Sequence, residues 1–265
     1  MNLAGVLHAL REMASRGGAL VRFVFTSSVA VFGSGLPTDS NGVAHVPANA
    51  RIAPESSYGT QKAAAELLLL DAARRGLCDA RIGRLPTVVV RGGAPNAATS
   101  SFASSIVREP AQGRRAVLPV RDDLPLWVCS PERAAANLLA FSDLAFSDLA
   151  GGARCINFPG LMTTPRAMIA ALEAARPGAQ ALIDRAEDAR ISAIVGSWPG
   201  YMECAKALEL GLRANASTEE IVAEFLATPV ADDTGVSFRG GGGGGGGELR
   251  LRNERQKGGR SLGGR

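Results

Sequence analysis

The chain has 265 residues, 46% hydrophobic and 20% charged, which is the balance of a globular protein long enough to bury a substantial core. Its formal charge of +4 is concentrated at the end: from Arg239 onward seven cations face two carboxylates, so that tail carries +5 and the preceding residues about −1. A near-neutral body argues against nucleic acid as the main partner, leaving only a weak, salt-sensitive attraction through the tail.

The helix predicted over Asn2–Ser15 carries an apolar stripe of Leu3, Val6, Leu7 and Leu10, stopped by Gly17-Gly18. The apolar run Leu20–Ser28, "LVRFVFTSS", reads as a buried parallel strand. Residues 33–57 are rich in Gly, Pro, Asn and Ser and read as a long loop, with Asp39 and His45 facing solvent. A helix over about 56–75 follows, then a strand over 80–90 and an irregular segment to about Ser105. The helix expected over 131–150 contains the direct repeat "FSDLAFSDLA", read as a local duplication within one helix. A strand is expected over 153–160. Thr164 then caps a helix with Pro165 in its first turn, and Ser217 with Glu220 forms a capping box for the last helix. From about Pro229, through the glycine run 240–247, the segment reads as disordered.

No apolar run approaches the roughly 18–20 residues that span a membrane, and the N-terminus has no cleavage pattern of a signal peptide. Cys78, Cys129, Cys155 and Cys204 form no CxxC pair, and neither His8 nor His45 has a metal-like partner nearby. Buried thiols in a reducing cytoplasm are the expectation, with no metal site. Strands alternating with long helices predict an α/β fold with a doubly wound parallel sheet. A strand followed by a glycine-rich turn, the opening of a dinucleotide-binding unit, is not found. The expected architecture is therefore an incomplete Rossmann-type sheet, its first βαβ half missing, with a smaller C-terminal substrate region. Residues 1–90 form the sheet half with 131–160 packing back on it, residues 91–228 the substrate region, and 229–265 the tail.

Tyr58 and Lys62 lie four residues apart on one helical face, so a phenol and an ammonium share a site. A phenol titrating near pH 10 is a poor base at neutral pH, and a neighbouring ammonium favours its anionic form. The strand ending in Thr26-Ser27-Ser28 brings hydroxyls to the carboxyl end of the sheet, where open α/β sheets bind ligands. Pro86 and Thr87 break the later strand near the same edge. Trp127 and Trp198 are expected to be packing residues, and Arg108 and Arg121 to be either surface arginines or contacts for an anionic substrate. The run Leu67–Leu70 is expected to be core or a dimer face.

The segments "FVFTSSVAVFG", "SYGTQKAAAE" and "RLPTVVVR" resemble the extended short-chain dehydrogenase/reductase family, its NAD-dependent epimerase/dehydratase group. With "PNAATSSFASSIVREP", "LWVCSP", "INFPG" and "WPG…AKALELG", the resemblance extends over residues 2–228 and points to a branch acting on D-erythronate-like sugar acids. It implies Tyr58 as general base, Lys62 as its partner and a grip on the nicotinamide ribose, and Ser28 as the hydrogen-bonding hydroxyl, with Ser27 a weaker candidate. It implies Pro86, Thr87 and Val88 at the carboxamide of an NAD cofactor, and Asn96, Ser100 and Ser101 facing the substrate. The chain departs from the branch at Gly92 and Ala94, where a proline and a lysine are the pattern. The helices at 2–15 and 56–75 would pair in a homodimer. A nucleotide-sugar epimerase or dehydratase remains the alternative enzyme, and an N-terminally truncated remnant that holds the dinucleotide weakly the alternative to an active one.

Overall fold

The computed structural model describes residues 3–16, 20–93, 99–152 and 154–228. The proposed disordered tail and Asn96 both lie outside the described residues.

Helix α1 (Leu3–Arg16) buries Val6 against Phe25, and strand β1 (Arg22–Ser28) follows, its last residue turning into a short 3-10 segment, Val29–Val31. The long loop carries one two-residue strand, β2 (His45–Val46), before helix α2 (Ser57–Arg74). Strand β3 (Asp79–Leu85) stops at Pro86, so the expected strand over 80–90 is two: Pro86 has no N–H to continue the ladder, and β4 (Thr87–Val88) pairs elsewhere. Helix α3 (Ser101–Ala111) begins inside the segment expected to be irregular. Strands β5 (Ala116–Leu118) and β6 (Leu126–Cys129), helix α4 (Pro131–Asp143), and strands β7 (Cys155–Asn157) and β8 (Leu161–Thr163) come next. Helix α5 (Pro165–Ala175), strand β9 (Ile183–Arg185), helix α6 (Ala189–Gly196), strand β10 (Tyr201–Met202) and helices α7 (Ala205–Glu209) and α8 (Thr218–Ala227) complete the described fold.

The sheet that positions the site is parallel, in the order β1-β3-β7, with Arg22 opposite Asp79 and Ser28 opposite Leu85. Helices α1 and α2 cover one face, Val6, Leu69 and Ala72 packing in one core with Phe25 of β1 and Ile82 of β3. Strands β4, β6 and β8 form a second sheet whose core includes Ile106, Leu126, Met168 and Leu172. This is the α/β architecture with parallel sheets that strand and helix alternation predicted. Cys78, Cys129 and Cys204 are buried and all four thiols are free.

Both expected caps form: Thr164 accepts from the Ala167 N–H at 3.2 Å and Ser217 from the Glu220 N–H at 3.1 Å. The reciprocal arm of the expected capping box is shifted by one residue, the Glu220 carboxylate accepting from the N–H of Ala216, just before the cap, rather than from that of Ser217.

The repeat is not one helix. Its first copy ends α4 and its second forms a 3-10 segment, Phe146–Gly152. The fully buried Arg81 guanidinium explains the break: it donates to the carbonyls of Phe141, Ser142 and Leu144 at 2.8–2.9 Å, closing the helix end. Phe141 is then 0% exposed in the core, whereas Phe146 is 54% exposed beneath the Arg154 guanidinium, 4.3 Å from its ring centre.

Candidate active site

Ser28 and Tyr58 are brought to one place by two adjoining caps. Ser28 closes β1 and caps the Val29–Val31 turn, its Oγ accepting from the Ala30 N–H at 3.2 Å; its own O–H remains available to donate. Ser56 caps α2 by accepting from the Gly59 N–H at 3.1 Å, which starts the helix so that Tyr58 falls in its first turn and Lys62 one turn later. Gly59 is required here for closeness: a Cβ at this position would stand 2.0 Å from the Ala30 carbonyl oxygen. Helix α2 therefore rests by its backbone on the turn that follows Ser28.

Tyr58 is 54% exposed and presents its phenol to the cavity, while Lys62 is buried behind it. The Lys62 ammonium donates to the Thr26 carbonyl at 2.6 Å and lies 5.7 Å from the centre of the Tyr58 ring and 4.7 Å from that of Phe25. Burial lowers the Lys62 pKa from the usual lysine value, and the Glu66 carboxylate one turn further along α2 works against that shift. Glu66, 1% exposed, is the anchor of a buried cluster that the sequence did not disclose. Its carboxylate accepts from the Ser27 hydroxyl and from Arg84, Nη2 at 2.7 Å and Nε at 3.1 Å, with the Cys155 thiol 3.6 Å away. A charge of that kind stays in the interior only when it is paired and hydrogen-bonded. Its position four residues after Lys62 was the available signal.

A cavity of about 610 Å³ opens at the carboxyl ends of β1 and β3. Ser28, Tyr58, Lys62, Pro86, Thr87, Val88 and Ser100 all line it, so seven of the nine sequence-derived site residues share one space. Ser101 is buried in the first turn of α3 and does not line it. Ser27 lines the cavity, but its hydroxyl is committed to Glu66. Arg108 and Arg121 are not there: Arg108 is buried and paired with Glu109 at 2.7 Å, and Arg121 faces Asp123 at 3.4 Å on the surface. Sequence reasoning missed Arg91, Thr99 and Ile194, and took Trp198 as packing alone; Trp198 packs on the core and also forms part of the cavity wall. Trp127 is a packing residue, 5.0 Å from Tyr201 in an edge-on ring contact. A smaller hollow of about 230 Å³ lies on the other side of Tyr58 and Lys62, against Leu3, Val6 and Phe25.

A nicotinamide end fits the larger cavity. Leu85, Pro86 and Val88 supply an apolar wall for a flat ring, and Lys62 has donor capacity beyond its bond to Thr26 for ribose hydroxyls. Among the described residues no strand is followed by a glycine-rich turn at a helix N-terminus, the usual seat of a pyrophosphate.

The chain's similarities are consistent with that cavity. A profile of the NAD dependent epimerase/dehydratase family matches residues 1–141. The D-erythronate dehydrogenase of Cupriavidus necator is 44% identical over 221 residues, covering 82% of this chain and 65% of that protein. The D-erythronate dehydrogenase of Haemophilus influenzae is 36% identical over 218 residues, 81% of this chain and 66% of that one. A solved nucleoside-diphosphate-sugar epimerase from Agrobacterium tumefaciens superposes with a TM-score of 0.73 at 39% identity, over 83% of this chain and 63% of its own. The chain thus spans just under two thirds of the length of each of these relatives.

Proposed function

The chain belongs to the NAD dependent epimerase/dehydratase family, and from that premise we propose that it is a dehydrogenase that oxidises a hydroxyl of a small, D-erythronate-like sugar acid to the 2-oxo acid, with NAD as cofactor. The observation that carries the reading is the convergence of the Ser28 hydroxyl, the Tyr58 phenol and the Lys62 ammonium on one cavity with the 86–88 wall. The names of the two relatives at 44% and 36% identity support the substrate class.

In this reading Tyr58 is the catalytic base and takes the proton of the substrate hydroxyl. Ser28 orients the hydroxyl oxygen with the O–H that its capping bond to Ala30 leaves free. Lys62 sets a fixed positive charge beside the phenol and holds the cofactor ribose, its own ammonium pinned by the Thr26 carbonyl. Pro86, Thr87 and Val88 form the seat of the nicotinamide carboxamide. Bound oxidised nicotinamide supplies the hydride acceptor. Residues 1–90 provide this reacting side of the cavity, and the 91–228 region provides Arg91, Thr99, Ser100, Ile194 and Trp198 on the substrate side.

The test is NADH absorbance at high NAD with D-erythronate, L-threonate and a UDP-hexose as substrates. Turnover on the two acids is expected; turnover on the UDP-hexose alone would overturn the sugar-acid assignment in favour of the epimerase class. Tyr58→Phe should lower kcat by about 10²–10⁴-fold while leaving the thermal midpoint unchanged, because the phenol is largely exposed. Activity retained in Tyr58→Phe would remove Tyr58 as the base.

A second reading, weak dinucleotide binding by this chain, is favoured by one observation: among the described residues no glycine-rich turn awaits a pyrophosphate. Calorimetric titration with NAD decides it, and a micromolar Kd would eliminate it. A homodimer through α2 is also proposed, since Leu67 and Leu68 are exposed there while Leu69 is buried; a monomer in sedimentation velocity would rule it out.

A further inference from the structure

The charge of the cavity is one-sided. Among the described residues its lining contains two cations, Lys62 and Arg91, and no Asp or Glu. Lys62 already has the Thr26 carbonyl and the Tyr58 ring as neighbours. The Arg91 guanidinium has no carboxylate partner among the described residues. Every cation that the sequence nominated for an anion is by contrast neutralised, Arg108 by Glu109 and Arg121 by Asp123.

Arg91 is also held at its root. Its N–H donates to Ser104 Oγ at 3.1 Å, and its carbonyl accepts from Arg108 Nη1 at 2.9 Å, so two residues of α3 clamp its backbone. The preceding Val89 and Val90 are buried in the core. A long side chain leaving an anchored backbone loses less freedom on binding than one leaving a mobile loop. Beside Arg91, on the substrate side of the same cavity, stand Ile194 and Trp198, which are apolar, and Ser100, whose hydroxyl makes no capping bond to α3. This wall offers one planar, permanently charged fork, one hydroxyl and an apolar surface.

We propose that Arg91 is the carboxylate-binding residue of the substrate site, so that the ligand class is a short hydroxy acid: carboxylate on the Arg91 fork, reacting hydroxyl at Tyr58 and Ser28. This rests on the dehydrogenase reading of the cavity and adds to it the group that selects acids over neutral polyols. A nucleoside diphosphate sugar brings two phosphates, and a single free guanidinium is a poor match for that charge. Arg91 is a specificity residue, and its removal weakens binding of the acid more than it slows the chemical step.

The test reads binding separately from turnover. Trp198 lines the cavity, so tryptophan fluorescence reports occupancy. Wild type, Arg91→Ala and Arg91→Lys are titrated with sodium D-erythronate and with erythritol, the neutral polyol of equal chain length, with and without NAD. The expected result is saturable quenching of wild type by D-erythronate, weakened about 10- to 100-fold in Arg91→Ala, the loss of one charge-assisted bidentate contact. Arg91→Lys should recover part of it, and erythritol should bind all three alike. In turnover KM for the acid should rise with kcat little changed.

Equal affinity of wild type and Arg91→Ala for D-erythronate, or no binding by wild type, overturns the inference. The two failures are separable. Acid binding that depends on Arg91 without NAD reduction would sink the dehydrogenase reading and leave the acid site standing. NAD reduction that is indifferent to Arg91 would do the reverse. A circular-dichroism melt of each variant confirms that the fold is retained.

Discussion

Replacing Glu66 by Gln tests the buried cluster beneath the site. The substitution keeps size and most hydrogen-bonding capacity and deletes one charge. Arg84, its side chain 17% exposed, then retains a guanidinium that had made three contacts of 2.7–3.2 Å with the carboxylate. Stranding one member of a buried pair costs about 3–5 kcal/mol; the partial exposure of Arg84 places this case near the lower end, at about 3 kcal/mol. With a urea dependence of about 2–3 kcal/mol per molar for a chain of this size, the unfolding midpoint should fall by roughly 1–1.5 M. The double variant Glu66→Leu, Arg84→Met removes both charges and should recover most of the loss, since a well-packed apolar pair is often as stable as a buried ion pair. Urea unfolding followed by circular dichroism measures all three. A loss below about 1 kcal/mol in Glu66→Gln, or a double variant worse than the sum of its singles, would refute the reasoning. Function adds a second readout. Burial lowers the Lys62 pKa and Glu66 resists it, so Glu66→Gln lets burial act unopposed. The Lys62 ammonium then loses its proton at lower pH, and any limb of the activity profile that depends on it moves to the acid side.

Two further outcomes follow from geometry and charge. Gly59→Ala places a methyl 2.0 Å from the Ala30 carbonyl oxygen, so α2 must lift; stability should fall by about 1–3 kcal/mol and kcat with it, while Gly196→Ala, with open space around it, should leave both unchanged. Burial works to raise the Asp79 pKa, but hydrogen bonds from Arg81 and Arg154 outweigh it and hold the carboxyl below its ordinary 3.8. Because the folded value is the lower one, the stability it contributes is present above the unfolded value and is lost as pH falls through the folded one. Asp79→Asn should be less stable at neutral pH and should show a flatter acid-unfolding curve than wild type below pH ~4; an unchanged slope would show that the Asp79 ion pairs do not act as described.

What the sequence disclosed was what neighbours in the chain decide. The caps at Thr164 and Ser217, the apolar run of β1 and the four-residue spacing of Tyr58 and Lys62 are local, and all are found in the fold. The convergence of Ser28, Tyr58 and Pro86–Val88 was legible because strand ends of a parallel sheet share one edge. Ile194, Trp198 and Arg91 reach the same cavity only by tertiary packing, which has no periodic signature. Helix α3 was obscured by a Ser- and Gly-rich approach, although Phe102, Ile106 and Val107 form its buried face. The repeat is the clearest case: identical pentapeptides end a helix in one copy and form a 3-10 turn in the next, because only the first sits beneath Arg81.

The contact of Gly59 with the Ala30 carbonyl separates two kinds of variation. The approach of the phenol to the strand end is set by main chain touching main chain, with no side chain between to enlarge or trim. The opposite wall is made of side chains borne on α6, on the α3 approach and at Arg91. In the proposed mechanism, substitutions on that wall would change what is held without moving what reacts. Such a scaffold can exchange ligands over evolutionary time at low risk to its chemistry, whereas almost any replacement of the one glycine puts the chemistry itself at stake.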